Sequence, residues 1–255
     1  MKPISPISPV NRMIAIASGK GGVGKTWLAI TLSQALAQTG RRVLLFDGDL
    51  GLANVDVQLG LEPVRDLGAV VAGRCALADA VQSYPPGGFD LIPGRSGSGR
   101  LAGLDRRRLE PLLEQLTALA RAYDVVLLDL AAGVDPGVRR LLELADRRLV
   151  LTTDEPTALT DAYALLKVAH DGTPAAELLS VVNLAPSHDA GRTVHRGLQR
   201  VCQRFLGFEP GLAGIVRRDP KVPDAIRHQV PLLVRHPATP AARDVEAIAR
   251  ELARR

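Results

Sequence analysis

The residues with the clearest chemical potential lie in one glycine-rich stretch near the N-terminus. From Gly19 to Thr26 the chain reads Gly-Lys-Gly-Gly-Val-Gly-Lys-Thr and meets the phosphate-loop pattern G-x-x-x-x-G-K-[ST]. In such a loop, backbone N–H groups surround phosphate oxygens, the lysine (Lys25) reaches the outer phosphates, and the hydroxyl (Thr26) binds Mg²⁺. The stretch therefore predicts a site for a nucleoside triphosphate with magnesium, and a glycine-rich turn without a ligand is the weaker interpretation.

A second lysine, Lys20, stands where ordinary phosphate loops accept almost any residue. We expect nucleotide contacts from the whole loop and from the residue after it: Gly19, Lys20, Gly21, Gly22, Val23, Gly24, Lys25, Thr26 and Trp27. The bulky ring of Trp27 lies either beside the phosphates or packed under the sheet.

Carboxylates follow two apolar runs further along the chain. Asp129 comes directly after Val125–Leu128, where it fits a magnesium carboxylate, and Asp47 and Asp49 stand just past an earlier run. A magnesium nucleotide needs oxygen ligands for the metal and a residue that positions water. One member of the Asp47/Asp49 pair can hold a metal-bound water while the other faces the attacking water. Alone, the pair would be interpreted as turn carboxylates, but the loop and Asp129 favour function. The predicted metal residues are Thr26, Asp47 and Asp129.

Short apolar runs and helical patterns alternate around these residues. Met13–Ala17 predicts a buried strand before the loop, and Leu28, Leu32 and Leu36 predict a helix after it, ended by Gly40. Further strands are predicted at 42–46, 90–92, 123–128, 148–152, 178–182 and 212–216, and helices at 105–122, 137–145, 157–170, 190–206 and 239–254. This order predicts an α/β fold: a doubly wound, mostly parallel sheet flanked by helices, with the ligand at its carboxyl edge. We expect one domain over 13–255, preceded by a flexible lead at 1–12.

Composition restricts the class of protein. The 255 residues are 46% hydrophobic and 23% charged, as in soluble globular domains, and only 3% aromatic, which argues against a base-stacking nucleic-acid surface. The net charge of +5 permits contact with nucleic acid or anionic lipid without establishing it, and Arg106–Arg108 is interpreted as a solvated helix face.

Cys75 and Cys202 lack metal or redox spacing. No stretch reaches the roughly 20 apolar residues of a membrane span. We expect a cytoplasmic protein.

The second lysine gives the loop a family resemblance. The sequence at Gly19–Thr26 resembles the deviant Walker A loop of the MinD/ParA superfamily of P-loop ATPases. The resemblance implies ATP and Mg²⁺ as cofactors and a homodimer that sandwiches two ATP molecules. Lys20 would reach the partner subunit's nucleotide, so that ATP binding makes the dimer and slow hydrolysis undoes it.

Two further segments narrow the resemblance to the flagellar-number regulators, the FleN/FlhG family. Residues 46–61, Phe-Asp-Gly-Asp-Leu-Gly-Leu-Ala-Asn-Val-Asp-Val-Gln-Leu-Gly-Leu, resemble that family's switch I segment, where partition proteins typically read Asp-Pro-Gln-Gly. Residues 154–167, Asp-Glu-Pro-Thr-Ala-Leu-Thr-Asp-Ala-Tyr-Ala-Leu-Leu-Lys, resemble the family's segment after its fifth strand. The likeness covers nearly the whole chain.

Residue roles follow from the resemblance by position. Asp49 would orient or activate the hydrolytic water, and with Lys20 and Lys25 it completes the predicted catalytic set, while Asp47 would support the magnesium shell. Asn54 would stabilise the switch loop, Glu155 would lie near the dimer face and Asn183 would read the adenine edge. Without the family, Asn183 would be interpreted as a strand-end turn residue.

Several positions depart from the family's pattern. Leu130 replaces the usual threonine after Asp129, which removes a hydroxyl near switch II, so slow hydrolysis is expected. Trp27 replaces a small polar residue. Arg217-Arg218-Asp219 stands where relatives carry a proline, a variable residue and aspartate. Residues 1–12 contain no Asp-Gln-Ala-x-x-Leu-Arg element for stimulating a partner GTPase. The apolar stripe Val245, Ile248 and Leu252 is narrow, so the C-terminal helix is expected to dock on the domain and not on a membrane.

The sequence therefore predicts an ATP-dependent, dimerising regulator of flagellar number or placement. By resemblance its partners are a flagellar GTPase of the signal-recognition type, a flagellar transcriptional activator and basal-body components. No specific nucleic acid is expected, and membrane contact is at most peripheral, with recruitment to the cell pole or the inner membrane face left open. Two alternatives are a DNA-binding partition protein and an ATP-locked scaffold that does not hydrolyse.

Overall fold

Eight strands and ten α-helices make up the part of the chain that the structure, a computed structural model, describes: residues 13–49, 51, 53–94, 106–172 and 176–254. The strands are β1 (Met13–Ser18), β2 (Val43–Gly48), β3 (Gln82–Tyr84), β4 (Phe89–Ile92), β5 (Val125–Ala132), β6 (Arg147–Thr152), β7 (Glu177–Ala185) and β8 (Gly211–Arg217). The helices are α1 (Lys25–Ala37), α2 (Val55–Leu59), α3 (Leu67–Val71), α4 (Arg106–Leu119), α5 (Pro136–Leu144), α6 (Pro156–Gly172), α7 (His188–Leu206), α8 (Lys221–Arg227), α9 (Leu232–Arg235) and α10 (Pro240–Arg254). The predicted lead at 1–12 lies outside the described residues.

The strands form one sheet in the order β3-β4-β2-β5-β1-β6-β7-β8. All neighbouring strands run parallel except β3 and β4, which are antiparallel. Crossover helices join the parallel strands, so the carboxyl ends of β1, β2, β5, β6 and β7 meet at one edge. The predicted doubly wound, mostly parallel fold is confirmed.

Successive side chains of each strand point to opposite faces of the sheet, so the core has two layers. In β1, Ile14 and Ile16 face the layer that contains α1 and α10, whereas Met13, Ala15 and Ala17 face the layer that contains α4, α5 and α6. Because both faces of the sheet are covered, the central strands are apolar at nearly every position and do not alternate in the sequence. This explains why the parallel strands were recognisable as continuous apolar runs.

The short elements escaped prediction. β3 has three residues, and α2, α3, α8 and α9 have between four and seven, which is too few turns for a periodic signal. The predicted long elements match, although β5 continues past Asp129 to Ala132 because Ala132 pairs with Ser18 of β1. Arg107 and Arg108 are exposed on α4, as expected for a solvated face.

The C-terminal helix α10 docks on the domain, as predicted. Val245, Ile248 and Leu252 are buried in the same core layer as α1, and α10 packs against α1 and β8. Among the described helices, none combines the length and the apolar character needed to cross a bilayer.

Candidate nucleotide-binding site

The phosphate loop runs from the end of β1 to the start of α1 and is held from both sides. Gly24 has φ +92°, and a Cβ atom there would lie 2.5 Å from Asn183 Nδ2. A Cβ atom on Gly19 would lie 2.2 Å from the Asp161 carbonyl oxygen in α6. Gly21 and Gly22 instead face open space. The loop is thus packed tightly at its two ends and open in the middle, as a cradle for phosphates requires.

Lys25 points into the site from the first turn of α1. Its ammonium donates to Ser18 Oγ at 3.0 Å, and the Ser18 hydroxyl donates to the Lys20 carbonyl at 2.6 Å. Burial lowers the pKa of Lys25, while Asp129 and Asp49 act in the opposite direction. Sequence reasoning missed Ser18, although a hydroxyl at the end of the strand before the loop was a usable signal.

Asp47 and Asp129 are register partners on adjacent strands β2 and β5. Asp129 is fully buried and hydrogen-bonds the Thr26 side chain, and its Oδ1 has no hydrogen-bond partner among the described residues. A buried carboxylate oxygen beside a threonine hydroxyl is a suitable donor set for Mg²⁺. Asp129 and Thr26 therefore fit the predicted metal site.

Asp47 uses both carboxylate oxygens on the backbone of the segment that follows β2. Its Oδ1 accepts from the Asp49 N–H at 3.3 Å and its Oδ2 accepts from the Val55 N–H at 3.2 Å. The two hydrogen bonds join Asp47 to residues 49 and 55, at either end of the segment that carries Asp49. A role for Asp47 in the magnesium shell stays a prediction.

Burial makes the carboxyl groups of Asp47 and Asp129 weaker acids than a free aspartate. Desolvation, with a further contribution from Asp129, raises the pKa of Asp47 well above its usual range. Desolvation also raises the pKa of Asp129 to about 7, against the opposing effects of Thr26 and Lys25. The nucleotide-free site therefore holds protons at pH values where free aspartate is ionised.

The contribution of Asp47 and Asp129 to the stability of the nucleotide-free protein is expected to fall as the pH rises. Between the ordinary aspartate pKa of 3.8 and about 7, the folded state binds more protons than the unfolded chain, so the free energy of unfolding decreases through that window, on the order of a few kcal/mol. Thermal melts between about pH 5 and about pH 8 check this. Asp129→Asn should flatten the slope, whereas Asp171→Asn, an exposed change on α6, should keep it. An unchanged slope in Asp129→Asn would contradict this account of the pair.

Lys20 extends away from its own phosphate loop to the start of α6. Its ammonium lies 2.5 Å from Glu155 Oε2 and 3.1 Å from Thr157 Oγ1, and the Lys20 and Glu155 side chains are 37% and 62% exposed. The Lys20 hydrogen bond lowers the pKa of the Glu155 carboxyl, and Arg218 adds to the effect. Thr157 was not singled out from the sequence, because nothing local links residues so far apart in the chain.

Asn183 lies under the loop at the end of β7. Its Nδ2 donates to the Val23 carbonyl at 2.7 Å, its Oδ1 has no hydrogen-bond partner among the described residues, and the next residue, Leu184, has φ +57°. The side chain is buried and holds β7 to the phosphate loop. Its predicted contact with adenine remains a prediction.

The ring of Trp27 belongs to the core and not to the phosphate pocket. It is buried and borders a cavity of about 10 Å³ together with Gln58, Ala225 and Leu232. Of the two interpretations, packing is therefore correct for the side chain, because α2, α8 and α9 provide an apolar surface beside the first turn of α1. Contact of the Trp27 backbone with nucleotide stays a prediction.

The residues near β5 and β8 that differ from the family's pattern have structural roles. Leu130 is buried in β5, with its Cδ2 atom near Gly48. Asp219 accepts from the backbone N–H groups of Lys221 at 2.9 Å and Ala241 at 3.1 Å, which fixes the starts of α8 and α10. Arg217 pairs with Asp244 of α10.

The parallel sheet, the phosphate loop with two lysines and the buried carboxylates define a P-loop ATPase that uses ATP and Mg²⁺. Residues 14–232 match the family model described as the CobQ/CobB/MinD/ParA nucleotide binding domain. The chain belongs to this family, and within it to the FleN/FlhG branch, since it is 37% identical to the antiactivator FleN of Pseudomonas aeruginosa over 99% of this chain and 89% of that protein.

Other relatives agree with this assignment. The flagellum site-determining protein YlxH of Helicobacter pylori is 32% identical over 76% of this chain and 65% of its own length. The septum site-determining protein MinD of Pyrococcus horikoshii, solved with Mg-ADP, superposes with a TM-score of 0.79 at 27% identity and covers 94% of this chain and 95% of its own. MinD in an Aquifex aeolicus MinC:MinD complex gives 0.76 at 28% identity, with 96% of each chain covered. Relatives of this chain thus bind nucleotide with magnesium and associate with other proteins.

Proposed function

We propose that this protein is an ATP-operated switch that controls flagellar number or placement through partner proteins that bind one nucleotide state. The observation that carries the proposal is the position of Lys20. Its ammonium lies at the carboxyl edge of the sheet, bound to exposed Glu155 and Thr157 and directed away from the loop that Lys25 completes. A lysine held in this way is available to a second subunit's nucleotide.

The contacts at that edge support the following cycle. Lys25 and the loop N–H groups would bind the phosphates, and Thr26 and Asp129 would hold Mg²⁺, which would supply positive charge against the transferred phosphoryl group. Two subunits meet at their carboxyl edges, and Lys20 of each exchanges Glu155 for the other's phosphates. Asp49 orients the attacking water, and loss of the γ-phosphate removes the anion that Lys20 binds, so the dimer separates.

The partners we propose are those the resemblance implies: a flagellar GTPase of the signal-recognition type, a flagellar transcriptional activator and basal-body components. The similarity to FleN and to YlxH supports this assignment. We propose a cytoplasmic location, with peripheral recruitment to the pole or the inner membrane face as part of the cycle.

Complementation tests the proposed function. In a Pseudomonas aeruginosa strain that lacks FleN, expression of this chain is expected to restore the parental number of flagella per cell, counted by electron microscopy. Lys20→Ala should fail to restore it at equal protein levels, because the dimer is the active state. Lys167→Ala, which removes an exposed lysine on α6, is the matched control. A wild-type chain that is expressed and folded but leaves the flagellar count unchanged would refute a role in flagellar number.

A further inference from the structure

A glutamine stands at the end of helix α8, in a conformation that usually belongs to glycine. The Gln229 N–H donates to the Ile226 carbonyl at 3.0 Å, and Gln229 has φ +55°. The next N–H, that of Val230, donates to the Ala225 carbonyl at 3.2 Å. These are the two hydrogen bonds of a Schellman helix end, whose left-handed residue is usually glycine because a Cβ atom is strained there. Ending the helix therefore does not explain a glutamine at this position.

The Gln229 side chain reaches helix α2. Its Nε2 donates to the Val57 carbonyl at 2.9 Å, across a separation of 172 residues in the chain. Val57 lies in the last turn of a five-residue helix, where no further turn supplies donors to the carbonyl groups. A helix this short is not stable alone, so the position of α2 depends on contacts of this kind.

The end of α2 leaves space for this glutamine. Gly60, which follows the last residue of α2, has φ +64°, and a Cβ atom there would lie 2.9 Å from Gln229 Oε1 and 3.2 Å from Gln229 Cβ. A side chain at position 60 would therefore push the two helix ends apart. The two left-handed residues lie against each other, and the contact between α2 and α8 depends on both.

Gln229 has a firm support in α8 and α9. Asp224 Oδ2 lies 2.7 Å from Arg235 Nε and 2.7 Å from His236 Nε2, which joins the two helices. Both helices contribute buried residues to the core layer that contains α1. The Gln229 amide thus extends from a part of the protein that is held by the core, and it can fix the position of the shorter helix α2.

The opposite end of α2 is joined to the nucleotide site. The Asp47 carboxylate accepts from the N–H of Val55, the first residue of α2, at 3.2 Å and from the Asp49 N–H at 3.3 Å. One carboxylate therefore holds both α2 and the residue proposed to orient the attacking water. Gln229 at one end of α2 and Asp47 at the other fix the helix from both sides.

We propose that Gln229 is a positioning residue for ATP hydrolysis, which holds the last turn of α2 and so keeps Asp47 and Asp49 in place beside the phosphate pocket. This inference rests on the proposed role of Asp49. If Gln229 only ended α8, glycine would be the better residue, since glycine adopts φ +55° without strain. The two explanations therefore predict different outcomes for a change to glycine.

Single-turnover phosphate release and thermal melts separate these explanations. Gln229→Gly is expected to melt at the wild-type temperature or above it, but to release phosphate at least about five-fold more slowly. ATP affinity should stay within about two-fold of the wild type, because the Gln229 side chain bonds α2 and not the phosphate loop. Gln229→Glu keeps the shape of the side chain and the backbone strain but has no donor for the Val57 carbonyl, so it should slow hydrolysis by a similar factor.

Hydrogen exchange of the nucleotide-free protein provides a readout that does not depend on activity. The amides of residues 55–61 should exchange faster in both Gln229 variants than in the wild type, because α2 opens more easily without this contact. Gln203→Glu makes the same change at an exposed position of α7, and this matched control should equal the wild type in exchange and in rate. A wild-type rate in Gln229→Glu, or wild-type exchange of α2 in that variant, would overturn the proposal.

A double-mutant cycle tests whether the effect acts through Asp49. In the Asp49→Ala background, Gln229→Glu should slow hydrolysis further by less than about two-fold. A further loss as large as that in the wild-type background would overturn the proposal and leave the role of Asp49 intact. Equal rates in the wild type and Asp49→Ala would instead refute the role of Asp49, so the two failures are distinguishable.

Discussion

Lys20→Ala is expected to bind ATP as the wild type does and to remain monomeric when ATP and Mg²⁺ are added. Lys25, Ser18 and the loop backbone form the phosphate pocket without any contact from the Lys20 ammonium. The change should therefore leave nucleotide affinity within about two-fold of the wild type. In the dimer, however, each subunit would lose a charge-assisted contact of about 1.5–3 kcal/mol. Two such losses, each offset by at most about 1 kcal/mol from the Lys20–Glu155 pair that the wild type breaks, weaken the dimer by about five-fold to more than 10,000-fold.

Light scattering and nucleotide binding measured on the same samples decide this point. Lys167→Ala is the control for removal of an exposed lysine, and it should dimerise normally. Glu155→Gln is informative in the opposite direction, because it releases Lys20 from its contact within the subunit. An exposed ion pair contributes at most about 1 kcal/mol, so this variant should dimerise at ATP concentrations lower by up to about five-fold. Dimerisation of Lys20→Ala at wild-type ATP concentrations would show that the second lysine does not join the subunits.

Asp49→Ala is expected to retain the ATP-bound dimer while losing most of its ATP hydrolysis. The backbone N–H of Asp49 donates to Asp47, and its own Oδ1 accepts from the Gly51 N–H at 3.2 Å, so a short turn fixes the carboxylate. Its charge acts on Lys25 and Asp129, which places it beside the phosphate pocket. Loss of a residue that orients or activates water costs about 100-fold to 10,000-fold in rate.

Single-turnover phosphate release measures this effect without interference from product dissociation. Asp49→Asn keeps the shape of the side chain and removes its charge, so it separates orientation from proton transfer. Asp171→Ala, at the exposed end of α6, controls for the loss of an aspartate. Equal rates in the wild type and Asp49→Ala would leave no catalytic role for Asp49 and would favour the ATP-locked scaffold.

The sequence was sufficient for features that depend on local pattern. β1, α1 and the phosphate loop follow from an apolar run, helical leucine spacing and glycine placement, and the strands that carry Asp47 and Asp129 follow from buried runs ending in carboxylates. The parallel order follows because helices separate these strands. Features that depend on distant contacts were not predictable. Examples are the bond from Lys20 to Glu155, 135 residues away, and the packing of Trp27 against α8 and α9.

One feature was missed because its element is short, and two predicted site residues have structural bonds that no local pattern shows. β3 is too short to show an alternating pattern, so the antiparallel edge of the sheet was missed. Asp47 was expected at the metal, but its oxygens also have to satisfy the backbone of the following segment. Asn183 likewise has a structural bond to Val23 that no local pattern could show.

The tight packing at the ends of the phosphate loop has an evolutionary consequence. A side chain at position 19 would collide with the α6 backbone and one at position 24 with Asn183, whether or not a nucleotide binds. Gly21 meets no atom of the described residues within 4 Å of an added Cβ, so a demand for glycine there would come from a ligand or a second subunit. A descendant lineage that gave up ATP would therefore be expected to keep the two outer glycines and to lose Gly21 first. Glycine at position 21 is thus expected to depend on the nucleotide-bound state, whereas glycine at positions 19 and 24 is expected to depend on the fold.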